Sequence, residues 1–217
     1  DFLKKKIDKK IDIFFDIGAH HGETIQDFLK FFSINKIYAF EPSKSNFSIL
    51  KKKIDKFKLK YNELEIEAFP YGLGNQNKIL DLNEIKDGES NTFNDIDTNS
   101  NYFKKKKKII TFFGLIKFFK KKVPTKIIKL QNFIIEKKID KIDFIKIDTE
   151  GFEYNILLGL ENYITRVNYI LLEHHFDDMI IKNYKLTDLH NLLQKNNFKK
   201  IFKIKMPFRK SFEYIYK

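Results

Sequence analysis

The stretch Ile13-Phe14-Phe15-Asp16-Ile17-Gly18-Ala19-His20-His21-Gly22 narrows the fold of this chain more than any other, because an unbroken apolar run ends on a carboxylate and passes at once into a glycine-spaced turn. A continuous apolar run is what a strand needs when it is buried on both faces, as in a parallel sheet between two layers of helices. The next such run, Ile37 to Phe40, ends on a second carboxylate, Glu41, at the interval a βαβ unit requires to set it beside the glycine turn. The two strand ends together describe a pocket for an adenosine-bearing ligand.

The spacing separates two kinds of adenosine cofactor. Dinucleotide folds use G-x-G-x-x-G so that a pyrophosphate reaches a helix N-terminus, whereas here the pattern is Gly18-x-x-x-Gly22. Asp16 before the turn would repel a pyrophosphate, but it suits a ligand carrying an ammonium, such as the methionine part of S-adenosylmethionine. Glu41 offers both carboxylate oxygens to ribose hydroxyls. Ala19 and Pro42 flank these groups and join the expected cofactor pocket. The turn Pro70-Tyr71-Gly72-Leu73-Gly74-Asn75 brings Gly72 toward the adenine ring or serves as a bare connection. His20 and His21 are either exposed turn residues or contacts to substrate.

With 217 residues, 42% of them hydrophobic, the chain suits one well-cored α/β domain over residues 1–217 and is short for two. Its formal charge of +13 raises nucleic acid or an anionic membrane as partners. The same composition, rich in Lys, Ile, Asn and Phe, with scarce Arg and no Trp or Cys, is what an AT-rich genome imposes on any coding sequence, so a solvated lysine surface is the plainer reading. Without cysteine there is no disulfide framework, thiolate nucleophile or cysteine-ligated metal. No stretch reaches the ~18 apolar residues that cross a bilayer, and the start lacks the apolar core of a signal peptide, so a cytoplasmic location is expected. Because the chain opens on Asp1 rather than Met, natural sequence upstream is also expected.

Along the chain, strands are expected at 11–16, 37–40, 64–69, 79–85, 142–148, 169–173, 198–204 and 212–216, with a short strand leading into a helix at 127–137. Helices are expected at 23–32, from Pro42 and Ser43 to about 56, at 151–160 and at 187–195. The polar stretch 86–101 reads as a mobile loop bearing on the substrate, with Ser90 and Asn91 as acceptor contacts. The block Lys104 to Lys122 carries Ile109, Phe112, Phe113, Ile116 and Phe119 on one helical stripe between lysine runs. It reads as a core-packing element, as a lid over the substrate, or as an element resting on anionic lipid. An insertion or lid at about 86–122 is therefore expected.

Chemistry concentrates at Lys146-Ile147-Asp148-Thr149-Glu150-Gly151-Phe152-Glu153, where a strand becomes a helix. Glu150 and Glu153 are candidates for acceptor chemistry or simple helix caps. Asp148, last in a buried strand, is expected to face the methyl donor or orient an acceptor hydroxyl. At the end of the following strand, Glu173-His174-His175 offers an imidazole as general base. Adjacent strand residues face opposite ways, so one histidine at most serves, and His174 is the choice. Hard carboxylates would permit a divalent cation held by Asp148 with Glu173 or His174, but no metal is expected.

Taken together, the segments Asp16 to Gly22, Tyr38 to Pro42, Lys146 to Glu153 and the end of the Glu173-His174 strand resemble the FkbM-type family of S-adenosylmethionine-dependent methyltransferases over roughly residues 11–175. The Lys-Ile-Asp-x-Glu-Gly-x-Glu element is the specific part. The resemblance implies a class I methyltransferase (Rossmann-like) fold, an α/β three-layer sandwich whose seven-stranded, mostly parallel sheet ends in an antiparallel closing strand. It implies O-methylation of a hydroxyl on a sugar, glycan, glycolipid or secondary metabolite. Asp16, Gly18, Gly22 and Glu41 would carry S-adenosylmethionine. Asp148, Glu150 and Glu153 would organise the methyl-transfer side, with Glu153 toward the acceptor. The rivals are an RNA methyltransferase, favoured by charge and aromatic content, and a non-catalytic, membrane- or nucleic-acid-associated protein of the same fold. Nucleic acid is the less expected partner, because the Asn/Asp-Pro-Pro-aromatic element of base-directed enzymes is absent.

Overall fold

The computed structural model describes residues 7, 9–85, 90–112, 119–206 and 210–217, the side chains of 109–112 and 119–120 excepted. The main sheet has seven strands: β1 (Lys10–Ile17), β2 (Ser33–Phe40), β3 (Glu65–Phe69), β7 (Ile142–Ile147), β8 (Val167–His175), β9 (Lys200–Lys205) and β10 (Ser211–Tyr216). They lie in the order β3-β2-β1-β7-β8-β10-β9. All neighbours are parallel except β10, which runs antiparallel to both β8 and β9. The order reverses between β1 and β7, and the carboxyl ends of strands at such a point open a crevice.

Alternation along the strands divides the core into two layers. Phe14, Ile37 and Phe144 pack under α1 (Glu23–Phe28) and α2 (Lys44–Lys60), where Ile25, Phe28, Leu50 and Ile54 are buried. The Phe14 and Phe28 rings stack at 4.7 Å. On the opposite face Phe15, Phe40, Ile145 and Ile147 meet α4 (Leu130–Glu136), α5 (Glu153–Leu160) and α6 (Leu186–Lys195) through Phe133, Ile156, Leu160 and Leu189. Phe133 stands edge-on to Phe40 at 4.9 Å and to Phe15 at 5.9 Å. This is the expected three-layer sandwich. α1 is shorter than the stripe Ile25, Phe28, Leu29, Phe32 suggests, though all four are buried. The chain leaves the helix in tight turns, with the Phe31 and Phe32 amides both donating to the Phe28 carbonyl.

The expected strand at 79–85 does not join the main sheet. It forms β5 (Lys78–Ile85), the edge of a separate three-stranded sheet with β4 (Gly72–Gly74) and β6 (Phe119–Lys129), in the order β4-β6-β5. The cause lies in its pattern. Lys78-Ile-Leu-Asp-Leu-Asn-Glu-Ile alternates polar and apolar residues over most of its length and has no run such as Ile13-Phe14-Phe15 of β1, and Ile79 keeps 72% of its surface exposed. Pro124 falls on β6 opposite Asp81, before β4 begins to pair at Ile127, so its missing N–H disturbs no second ladder.

The lysine-flanked block likewise departs from one continuous helical stripe. Its first part is α3 (Asn101–Phe112) and its last part enters β6. Phe113 and Ile116 lie outside the described residues, as does 86–89 of the expected loop. The rest of that loop is not mobile in character but stitched down. The Asn83 and Thr92 backbones bond to each other, the Asp97 amide donates to the Met179 carbonyl at 2.7 Å, and the Ile181 amide donates to the Asp95 carbonyl at 2.9 Å. Short polar side chains produce this order: Thr92 and Asn94 are buried and donate to the backbone carbonyls of Glu150 and Gly151, each at 2.7 Å.

Candidate active site

Three strands set the site by the period of two. Phe14 and Asp16 on β1, with Gly18 just past its end, Phe144 and Lys146 on β7, with Asp148 just past its end, and Tyr169, Leu171, Glu173 and His175 on β8 alternate toward the face covered by α1 and α2. Their carboxyl ends border a cavity of about 540 Å³ lined on one side by Gly18, Ala19, His20, Glu41 and Pro42, and on the other by Lys146, Asp148, Glu150, Glu173 and Glu213. Strand order separates these two groups, Glu41 following β2 and Glu173 lying near the end of β8.

The glycine turn is built by close approach. Gly18 has φ +82° and passes so near β7 that a Cβ there would lie 1.8 Å from the Asp148 carbonyl oxygen. The Gly18 and Ala19 amides both donate to the Phe40 carbonyl at 3.0 Å, pinning the turn to β2. Gly22, also left-handed at φ +79°, meets Leu50 and does not line the cavity. Glu41 is buried, and its two oxygens accept the His20 amide at 2.8 Å and the Ser43 amide at 2.9 Å. Each oxygen therefore keeps one lone pair toward the cavity rather than two. Burial raises the Glu41 carboxyl from 4.5 to about 7, against the two amide bonds that lower it.

Asp16 is fully buried and lies behind the lining, not in it. Neither of its oxygens makes a hydrogen bond. Its neighbour is Lys146, whose Nζ stands 3.6 Å from Asp16 and 3.2 Å from Asp148, and donates to the Gly18 carbonyl at 3.3 Å. Burial raises Asp16 to about 6, with Lys146 opposing. Burial pushes Asp148 upward too, but Lys146 and His175 outweigh it and hold that carboxyl below its usual range.

The two histidines part as alternation requires, and it is His175 that turns to the site. His175 Nε2 lies 3.6 Å from Glu150 Oε2 and 3.5 Å from Glu173 Oε1. His174 points to the other face, edge-on to Phe176 at 4.9 Å and beside Tyr184 at 5.9 Å. Burial, with Lys182 nearby, lowers His174 to about 3, so it is neutral and a weak base. The choice of His174 is thus corrected by register, since Glu173 faces the cavity and its i+2 neighbour shares its face. Burial drives Glu150 and Glu173 above the ordinary carboxylate range, and His175 pulls both back.

Other expected contacts are redistributed. Asn91 lines the cavity while its Oδ1 accepts the Ile85 amide at 2.8 Å. Ser90 is buried and accepts from Lys106 Nζ at 2.5 Å, away from the lining. Glu153 is also outside it: its carboxylate accepts the Gly151 amide at 2.9 Å, the Thr149 amide at 3.2 Å and the Tyr184 hydroxyl. It closes the turn into α5, the capping alternative. Gly72 packs against Ile127 and Phe93 within β4, where a Cβ would lie 2.7 Å from Ile127. Of Lys146, Glu173, His175 and Glu213, only Glu173 was named beforehand as a site residue, as a possible cation ligand. The signal for the first three was present as i, i+2 partners of Asp148 and within Glu173-His174-His175; Glu213 depends on the register of β10 opposite Glu173.

A mostly parallel seven-stranded sheet closed by one antiparallel strand, with its cavity at the switch point, defines the class I methyltransferase fold. The methyltransferase FkbM domain matches residues 16–200, and the chain belongs to this family. Among solved structures, the FkbM methyltransferase of Methylobacillus flagellatus KT aligns with 99% of the chain at 15% identity and a TM-score of 0.65, the chain spanning 46% of that protein. M. capricolum TrmK, solved with S-adenosylhomocysteine, aligns with 99% of the chain at 13% identity and a TM-score of 0.53, the chain spanning 65% of it. The ribosomal protein L11 methylase of Lactobacillus delbrueckii subsp. bulgaricus aligns with 99% of the chain at 10% identity and a TM-score of 0.51, the chain spanning 73% of it. No curated protein sequence matches the chain significantly.

Proposed function

We propose that this chain is an S-adenosylmethionine-dependent O-methyltransferase acting on a hydroxyl of a sugar, glycan, glycolipid or similar metabolite. The observation that carries this reading is the charge of the cavity. In a protein of net charge +13, the lining presents Glu23, Asp27, Glu41, Asp148, Glu150, Glu173 and Glu213 against Lys146. Such a wall attracts a sulfonium and an ammonium and repels a phosphate backbone, which disfavours RNA as the acceptor.

The residues fit the cofactor. A Cβ-free approach at Gly18, the Ala19 and Pro42 walls and the Glu41 carboxylate provide a cradle, and the Asp16 carboxylate, ion-paired with Lys146 but without a hydrogen bond, lies buried behind it. When bound, S-adenosylmethionine supplies a methyl group on a positively charged sulfur. Glu41 holds the ribose hydroxyls. Asp148, kept ionised beside Lys146, would orient the acceptor hydroxyl, and the carboxylate of Glu173, which burial raises to about 7, would accept its proton, while Glu150, raised to about 8, holds a proton of its own. Positioning and exclusion of water supply the remainder.

We read residues 1–217 as one methyltransferase domain with an insertion at about 86–122 that walls the cavity through Asn91 and Phe93. The exposed lysines of α3, at 104, 105, 107 and 108, are proposed to touch anionic lipid at the bilayer surface. Co-sedimentation with phosphatidylserine vesicles that persists at high salt, or is absent at low salt, would refute that contact. Among the described residues no helix is long and apolar enough to cross a membrane. The acceptor is tested by incubating the chain with methyl-labelled S-adenosylmethionine and panels of sugars, glycolipids and RNA. Label in alkali-stable methyl ethers is expected, and label confined to RNA bases would overturn the O-methyl assignment.

A further inference from the structure

At the carboxyl ends of β7 and β8 a carboxylate oxygen of Asp148, one of Glu173 and a ring nitrogen of His175 all lie within 4.8 Å of one another, beside the cavity. We propose that these three residues form a binding site for a divalent cation of the Mn²⁺ or Mg²⁺ kind at the acceptor end of the cavity. Ligands around such an ion, at about 2.1 Å from it, stand roughly 3 to 4 Å apart, so small side-chain rotations bring the three atoms to coordination distance.

An acidic cluster alone would not carry this, but His175 does. Its residue surface is 8% exposed, and its Nε2 makes no hydrogen bond. The nearest carboxylate oxygens, 3.5 and 3.6 Å away, are beyond hydrogen-bonding distance and surround the nitrogen on the cavity side. Buried polar atoms rarely stay without a partner unless a site requires one. On the ring's other side Nδ1 faces Asp177 Oδ2 at 3.7 Å, while Asp177 Oδ1 is fixed by the Met179 amide at 3.0 Å. At that distance Asp177 places negative charge behind the ring without a hydrogen bond to it. Ser211 Oγ donates to Glu173 Oε1 at 2.6 Å and so steadies a second ligand. Two carboxylates and one imidazole suit a hard to borderline ion. An ion there would take the acceptor oxygen as a further ligand and favour loss of its proton.

The assignment rests on the methyltransferase reading of the cavity, and the test separates the two. The full chain, stripped with EDTA, is titrated with Mn²⁺ and followed by electron paramagnetic resonance, while S-adenosylhomocysteine binding is measured calorimetrically on the same preparation. One Mn²⁺ per chain is expected, with nitrogen coupling from one imidazole. Glu173→Gln and His175→Gln, checked for folding by circular dichroism, should weaken Mn²⁺ by about tenfold or more. His21→Ala removes a ligand from the separate His20, His21, Glu23 group and should leave Mn²⁺ binding unchanged. Absence of Mn²⁺ binding with S-adenosylhomocysteine binding intact would overturn the cation site alone. Mn²⁺ binding without nitrogen coupling, or lost in His21→Ala, would overturn it as well. Mn²⁺ binding without S-adenosylhomocysteine binding would instead remove the methyltransferase reading.

Discussion

Gly18 carries two constraints that Gly22 carries only in part. Both are left-handed, but a methyl group at Gly18 meets backbone, the Asp148 carbonyl at 1.8 Å, whereas at Gly22 it meets the tip of Leu50 at 3.0 Å. A left-handed non-glycine residue costs about 1–2 kcal/mol and forced overpacking about 1–3 kcal/mol more. Urea denaturation should therefore show Gly18→Ala losing about 2–5 kcal/mol and Gly22→Ala nearer 1 kcal/mol. The buried acids make a second prediction at this scale. Asp16 rises from 3.8 to about 6 and Glu41 from 4.5 to about 7, chiefly through burial, so the folded state holds these protons more tightly than the unfolded chain. Their contribution to stability is complete below pH 3.8 and is lost as pH rises through 6 and 7. The ligand-free chain should thus melt lower at pH 8 than at pH 5, and Asp16→Asn should flatten that slope; an unchanged slope would contradict the assignment. Asp16, Glu41 and Asp148 stood out because each follows apolar residues at a strand end; Glu41 and Asp148 line the cavity, whereas Asp16 lies behind it. Lys146 did not, because its meaning comes from Asp16, 130 positions away in sequence and adjacent only once β7 pairs with β1.

Between elements, the least legible part was the second sheet. β5 was expected as a strand, but of its partner β6 only the end from Ile127 was, since a run of lysines and Pro124 argue against a strand until the long ladder with β5 supplies the pairing. The polar stretch before α3 misled for a related reason: Ser, Thr and Asn denote mobility when solvated and order when each finds a backbone carbonyl, as Thr92 and Asn94 do. The main sheet was legible in its central strands, where apolar residues cluster toward the buried carboxyl ends, and also at β3 and β9, which are largely exposed or half-buried and read as strands from their alternation. Contact between the two sheets depends on α5. A Cβ at Gly159 would stand 2.0 Å from the Gly74 carbonyl oxygen on β4. Gly159→Ala gains helix propensity of about 1 kcal/mol yet should still destabilise the chain by about 1–3 kcal/mol, because the clash is with backbone. Thermal denaturation showing equal or higher stability would mean that α5 and β4 are not held so closely.

For the molecule as a whole, a basic exterior surrounds an acidic cavity, so surface charge and site charge point to different partners. The excess lysine is read from composition alone, while the acidic wall exists only after five separated segments converge, and the proposed function follows the second. The central claim is that this wall and the glycine turn hold S-adenosylmethionine. It is tested most directly by isothermal titration of the folded chain with S-adenosylhomocysteine, beside Glu41→Ala. The account predicts one site per chain in the wild type, and in the variant a loss of about 1.5–3 kcal/mol, the worth of hydrogen bonds to a charged group, or roughly ten- to a hundredfold in affinity. No heat of binding by a folded wild type, or equal affinity in the variant, would contradict it.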